Sequence, residues 1–121
     1  MRGLGELEAA VMNIVWDMRA PVTVRDVRER LVRDRPLAYT TVMTVMDHLH
    51  RKDMLRRTKN GRAWLYEATS SRGKYTAQLM HDALRSAYDQ SAALTHFVAA
   101  MSEEESQALQ SLLRRRLGRQ R

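Results

Sequence analysis

The sequence predicts a mainly α-helical protein with one small β-hairpin, and three observations predict that class. Apolar residues recur at spacings of three and four along most of the 121 residues, which is the period of an amphipathic helix. Two short runs joined by Asn60-Gly61 interrupt that period near the middle of the chain. No apolar run approaches the roughly 20 residues that cross a bilayer, so the pattern is that of a folded protein outside the membrane.

The first two helices are predicted from their apolar stripes and their ends. Pro21 ends the first helix, and Thr23 with Asp26 forms a variant capping box that opens the second. Pro36 stops the second helix. The stripe of the first helix consists of Leu4, Leu7, Val11, Ile14, Val15 and Met18, and that of the second of Val24, Val27 and Leu31.

The third helix is predicted to begin near Ala38, within "LAYTTVMTVMDHLHRKDML". At 100° per residue its side chains separate into an apolar side and a polar side. The apolar side holds Val42, Val45, Met46 and Leu49. The polar side holds Thr40, Thr41, Thr44, His48 and Arg51.

A hairpin follows in "MLRRTKNGRAWLYEA". Asn60-Gly61 favours a type I′ turn, because both central positions of that turn need positive φ. Lys59 and Arg62 then lie at the tip. Three helices followed by a hairpin with a basic tip is the order of a winged helix-turn-helix domain, which we place at residues 1–70.

Residues 71–121 return to helical spacing, with a helix opening at Ser102 and Glu105 as its capping-box partner. Helices this short struggle to form a core alone, which favours a homodimer; the alternative is that their stripes pack on the winged domain. The terminal "RRRLGRQR" is interpreted as a solvated basic tail. The predicted dimerisation residues are Leu94, Phe97, Val98, Met101, Leu109, Leu112 and Leu113.

The charge of the chain points to an anionic partner. The formal net charge is +7 and the pI about 10.5, and residues 51–62 hold six basic residues against one acid, Asp53. Nucleic acid is favoured over an anionic membrane surface. On a helix in a DNA major groove, threonine hydroxyls can reach phosphates or base edges and threonine methyls can pack on thymine methyls, and the basic hairpin directly downstream favours this interpretation. A merely solvated threonine face is the alternative. The predicted DNA-binding residues are Thr40, Thr41, Met43, Thr44, His48, Arg51, Lys59 and Arg62.

The sequence favours no enzyme, cofactor or metal. It has no cysteine, no phosphate-binding loop and no HExxH zinc motif. His48 and His50 are two apart on a helix and point in different directions, so they form no chelating pair, and His50 is expected at the surface. The cytoplasm is the expected location. A winged-helix module that binds an acidic protein and never reads DNA is the alternative function. An enzyme or a regulator that senses a small molecule ranks third.

Three segments carry a resemblance to a known family. "LGELEAAVMNIVW", "AYTTVMTVMDHLHRKDML" and "KNGRAWLYEA" resemble the opening helix, recognition helix and wing of the penicillinase repressor family, the BlaI/MecI group of bacterial transcriptional repressors. The resemblance implies a dimer that binds an inverted repeat with TACA and TGTA half-sites and blocks transcription, for instance of β-lactam response genes. Thr41 and Thr44 match the family's recognition threonines, whereas Thr40 and Met43 stand where several relatives carry basic residues.

The resemblance also implies a route of release. Repressors of this family are often cleaved at an Asn-Phe bond when a membrane-bound sensor protease is triggered. The matching segment here is "LTHFVAAM", with His96 before Phe97. Cleavage between His96 and Phe97 is therefore a hypothesis, and a role of Phe97 in the dimer core is the favoured interpretation.

Overall fold

The computed structural model describes residues 4–33 and 36–119. Within them lie α1 (Glu6–Met18), α2 (Val24–Leu31), α3 (Tyr39–Arg51), β1 (Leu55–Asn60), β2 (Ala63–Ala68), α4 (Arg72–Ser86), α5 (Gln90–Ala99) and α6 (Glu103–Arg119). This order confirms the predicted class. The chain forms two compact units, residues 1–79 and residues 80–121. No described helix combines the length and the apolarity needed to cross a lipid bilayer.

The core of the first unit is built from one face of each of the first three helices and the inner face of the hairpin. The predicted apolar faces of α2 and α3 are confirmed, although Val45 is only half-buried. Burying a side chain of this kind contributes roughly 1.5–3 kcal/mol. The buried residues of this core cluster are Val11, Met12, Val15, Val22, Val24, Val27, Leu31, Val42, Met46, Leu49, Leu55 and Tyr66.

Local hydrogen bonds fix where the early helices begin. The Gly5 N–H donates to Glu8 Oε1 at 3.1 Å, ahead of α1. The capping box at α2 is confirmed: the Asp26 N–H donates to Thr23 Oγ1 at 3.1 Å, and the Thr23 N–H donates to Asp26 Oδ2 at 2.9 Å. These bonds satisfy backbone donors that a helix start leaves without partners.

The hairpin is confirmed, but its turn lies one residue later than predicted. The strands pair in register from Leu55 opposite Ala68 to Asn60 opposite Ala63, so Gly61 and Arg62 form the turn. Gly61 has φ 64°, whereas neither Asn60 nor Arg62 has a positive φ. The type I′ prediction is therefore wrong. Positive φ at the first central residue alone is the distribution of a type II′ turn, which also favours glycine there.

A further pairing joins the hairpin to the segment before α2. The Val22 N–H donates to the Tyr66 carbonyl at 2.9 Å, and the Tyr66 N–H donates to the Val22 carbonyl at 2.7 Å. Both side chains are fully buried. The bridge fixes the hairpin against the helices, and nothing in the local sequence pattern announced it.

In the second unit, the capping box at α6 is confirmed. The Glu105 N–H donates to Ser102 Oγ at 3.1 Å, and the Ser102 N–H donates to Glu105 Oε1 at 2.9 Å, which holds the pKa of Glu105 below its ordinary value. The predicted basic tail is helical as far as Arg119, because α6 continues through its arginines. Gln120 and Arg121 lie outside the described residues.

Candidate nucleic-acid interface

The polar side of α3 faces solvent because the opposite side is buried in the core. Val42, Met46 and Leu49 are completely buried, so the helix cannot rotate without exposing them. Met43 is exposed at the border of the outward face. The remaining predicted residues of this helix are all exposed: Thr40, Thr41, Thr44, His48 and Arg51.

Thr44 has a defined hydrogen-bonding state. Its hydroxyl donates to the Thr40 carbonyl at 2.9 Å. The hydroxyl proton is thereby occupied, and the oxygen lone pairs and the methyl group remain for an external partner. Thr44 can thus accept a hydrogen bond from a base or contact a thymine methyl.

The hairpin presents an exposed indole that two cations contact. Trp64 is 37% exposed. The Arg57 guanidinium carbon lies 4.4 Å from the centre of a Trp64 ring, and the Lys59 ammonium nitrogen lies 4.5 Å from it. Such cation–π contacts contribute about 0.5–1 kcal/mol at exposed sites and restrict where the cations point. Lys59 lies directly opposite Trp64 in the strand register, one pair from the end of the hairpin.

One carboxylate joins this wing to α3. Asp47 Oδ1 accepts from Arg57 Nη1 at 3.0 Å, and Asp47 Oδ2 lies 3.1 Å from Arg51 Nη2. Arg57 Nη1 also lies 3.4 Å from the Tyr66 hydroxyl oxygen. The hydrogen bonds with Tyr66 and then Asp47 raise the pKa of Arg57 above its ordinary value, although burial lowers it. Sequence reasoning omitted both Asp47 and Arg57 from the site. Their signal was spacing: Asp47 is three residues after Thr44 on the polar side, and Arg57 shares a strand face with Lys59.

Several cations of the basic segment 51–62 are paired with acids that the sequence did not indicate. Lys52 Nζ pairs with Glu8 Oε2 at 2.8 Å, and this hydrogen bond is the main cause that lowers the pKa of Glu8. Arg56 lies 3.9 Å from Glu67. Acids from α1, α3 and β2 therefore neutralise much of a patch that seemed to contain one acid. Within the described part of the chain, Arg62 makes no ion pair.

The histidines of the described residues do not form a metal site. His50 is half-buried, with Nδ1 3.1 Å from the Leu55 carbonyl oxygen, so the prediction of an ordinary surface residue is wrong. This contact links the end of α3 to the start of β1. Among residues 4–33 and 36–119, no group of three or more His, Cys, Asp or Glu side chains is arranged to hold a metal ion.

The predicted dimerisation residues lie on α5 and α6 or, for Met101, between them. Met101 and Leu109 are half-buried, and the others are exposed: Leu94, Phe97, Val98, Leu112 and Leu113. His96 is exposed too, and its carbonyl accepts from the Ala100 N–H at 3.1 Å. The bond between His96 and Phe97 therefore lies within a regular helix.

Known proteins resemble the chain over most of its length. The sequence profile described as penicillinase repressor matches residues 4–115. The transcriptional regulator BlaI of Mycobacterium tuberculosis is 43% identical over 113 residues, which cover 91% of this chain and 82% of the relative; the same match is found in strains H37Rv and CDC 1551.

Solved structures share the fold. The DNA-binding domain of the repressor BlaI, solved in solution, aligns with a TM-score of 0.53 and 22% identity over 62% of this chain and 94% of that one. A mutant of MepR from S. aureus, bound to an oligodeoxyribonucleotide, aligns with a TM-score of 0.53 and 16% identity over 98% and 80% of the two chains. These structures agree with the winged-helix architecture. The sequence comparisons show that the chain belongs to the penicillinase repressor family.

Proposed function

We propose that this transcriptional repressor binds an inverted-repeat operator in double-stranded DNA as a dimer. The observation that carries the proposal is the outward face of α3, where short polar side chains lie beside a cationic hairpin. Residues 1–70 bind DNA, with α3 in the major groove and the wing on the flanking backbone. The proposed base-reading residues are Thr40, Thr41, Met43, Thr44 and His48, and the proposed phosphate contacts are Arg51, Lys59 and Arg62.

Residues 71–121 supply the second half of the proposal, self-association. Phe97 and Val98 are each 50% exposed, and Leu112 is 56% exposed, in the single chain. Burying such side chains against a second copy removes apolar surface from water, and two subunits related by a two-fold axis match two half-sites. A monomer at micromolar concentration would contradict this part of the proposal.

The mechanism is occupancy. A dimer on its operator excludes the transcription machinery from a promoter and needs no catalytic step, no cofactor and no metal. We place this action in the cytoplasm, with the genes of the β-lactam response as the regulated set that the family membership favours. The test is a reporter driven by a promoter of the β-lactam response. Reporter expression that is unchanged when the gene encoding this repressor is deleted would remove the β-lactam response genes from the proposal.

Release by a sensor protease is a separable proposal. Cleavage between His96 and Phe97 requires local opening of α5, because proteases act on unfolded segments. Cells exposed to a β-lactam should then contain a shorter product on a denaturing gel. Intact migration after induction would eliminate cleavage and leave Phe97 with its favoured role as a dimer contact.

Selection from a random duplex pool tests DNA reading itself. The full chain should enrich a short inverted repeat, and its binding should survive excess competitor DNA. Affinity should fall steeply with salt, by a log-log slope of about −0.9 for each phosphate contact. A winged-helix module that binds an acidic protein would enrich no sequence.

A further inference from the structure

Asp47 is a carboxylate on the surface proposed to face DNA, where a negative charge opposes attraction to phosphates. It is three residues after Thr44 and four before Arg51, so all three share one side of α3. An acid at this position weakens binding to any DNA unless its charge is compensated. Its placement therefore needs a physical explanation.

The two oxygens of Asp47 hold two different arginines. Oδ1 contacts Arg57 of the wing at 3.0 Å, and Oδ2 contacts Arg51 of the same helix at 3.1 Å. The Arg57 side chain is 23% exposed, whereas that of Arg51 is 73% exposed. The Arg57 contact is thus the anchoring one, and Arg51 is held loosely at the surface.

Arg57 extends the connection to the hairpin. Its guanidinium lies against the Tyr66 hydroxyl and over the Trp64 ring, which Lys59 also contacts. One carboxylate on α3 therefore holds Arg57, which shares the Trp64 ring with Lys59. Arginine suits this position because its planar group can donate to a carboxylate and stack on an indole at once.

We propose that Asp47 is a specificity-determining residue, which positions the arginines of α3 and the wing and penalises binding to non-operator DNA. This inference rests on the proposed function. In loose complexes, binding follows net charge at the interface, so Asp47 lowers affinity for every sequence. In the operator complex, close approach lets the positioned arginines and the carboxylate meet matched phosphates and base edges, since a carboxylate can accept from a cytosine amine.

The test compares Asp47→Asn with Asp53→Asn in the full chain. Both substitutions remove one negative charge near the same basic segment. Asp53 is exposed, its carboxylate makes no ion pair within the described residues, and its φ of 61° is a conformation that asparagine tolerates. The matched control therefore separates the position of the charge from its total.

The probes are the duplex selected by the unmodified chain and a scrambled duplex of equal length. The readout is the dissociation constant for the scrambled duplex divided by that for the selected duplex, at one salt concentration. Asp47→Asn should lower that ratio about tenfold, which is about 1.4 kcal/mol, mainly by tightening binding to the scrambled duplex. Asp53→Asn should change it less than twofold. Because unfolded protein weakens both affinities equally, the ratio is independent of any loss of fold.

A second pair of variants tests the arginine side. Arg57→Lys keeps the charge but loses the planar contacts with Asp47 and Trp64, and it should also lower the ratio. Arg56→Lys, on the neighbouring residue that lies 3.9 Å from Glu67, should not. Equal ratios for the two aspartate variants would overturn the inference about Asp47 without contradicting the proposed repressor function. A wild-type chain that selects no sequence would overturn the proposed function itself.

Discussion

Replacement of Thr44 by alanine tests the reading face of α3 most sharply. The Thr44 side chain is exposed, and its hydroxyl donates to the Thr40 carbonyl. The groups left to contact DNA are therefore the oxygen lone pairs and the methyl. Loss of one such contact costs about 1 kcal/mol. A dimer loses it in both half-sites, which gives about 2 kcal/mol or about a 30-fold weaker operator affinity.

The fold should be unaffected by this change. Alanine has the higher helix propensity, by up to about 0.7 kcal/mol, and the lost hydrogen bond is exposed. Thr76→Ala is the matched control, because its hydroxyl likewise donates to a backbone carbonyl one turn earlier, that of Arg72, at 3.1 Å. Thr76→Ala should leave operator affinity unchanged.

Fluorescence anisotropy with a labelled operator duplex at fixed salt measures both variants. Thr44→Val keeps the methyl and Thr44→Ser keeps the oxygen, so the pair shows which group the DNA contacts. An unchanged operator affinity for Thr44→Ala would refute the assignment of the reading face.

Three other predictions concern charge, assembly and pH. Arg62→Ala should weaken binding to all duplexes equally and make the salt slope shallower by about 0.9 per half-site, as measured by anisotropy across a salt series. Leu112→Asp should place a charge in the proposed dimer interface and yield a monomer in analytical ultracentrifugation; an unchanged species would remove Leu112 from it. The hydrogen bond from Lys52 is the main cause that lowers the pKa of Glu8. The ionised Glu8 carboxylate therefore stabilises the fold fully above the ordinary glutamate pKa of about 4.3, and this stabilisation is lost as pH falls through the lowered folded-state pKa. Glu8→Gln should therefore reduce the acid dependence of the free energy of unfolding, and urea titrations that show the same dependence in both proteins would contradict this.

Local features were predictable from the sequence. The capping boxes at Thr23 and Ser102 each depend on two residues three apart, and the buried side of α3 depends on spacings of three and four. Each of these features is confirmed. These features follow from backbone geometry, which repeats along the chain.

Nonlocal features were not. Lys52 pairs with Glu8 from 44 residues away, and Tyr66 forms a bridge with Val22. No periodicity indicates such partners, so the basic segment seemed less neutralised than it is. The shifted turn at Gly61 shows the same limit, because the register is decided by strand packing as well as by the turn dipeptide.

Capture of genomic DNA by the purified chain, followed by sequencing of the retained fragments, is the decisive test of sequence-specific repression. We expect a short inverted repeat upstream of a few genes, retained under excess competitor DNA. Retention of fragments without a shared sequence would contradict sequence-specific repression.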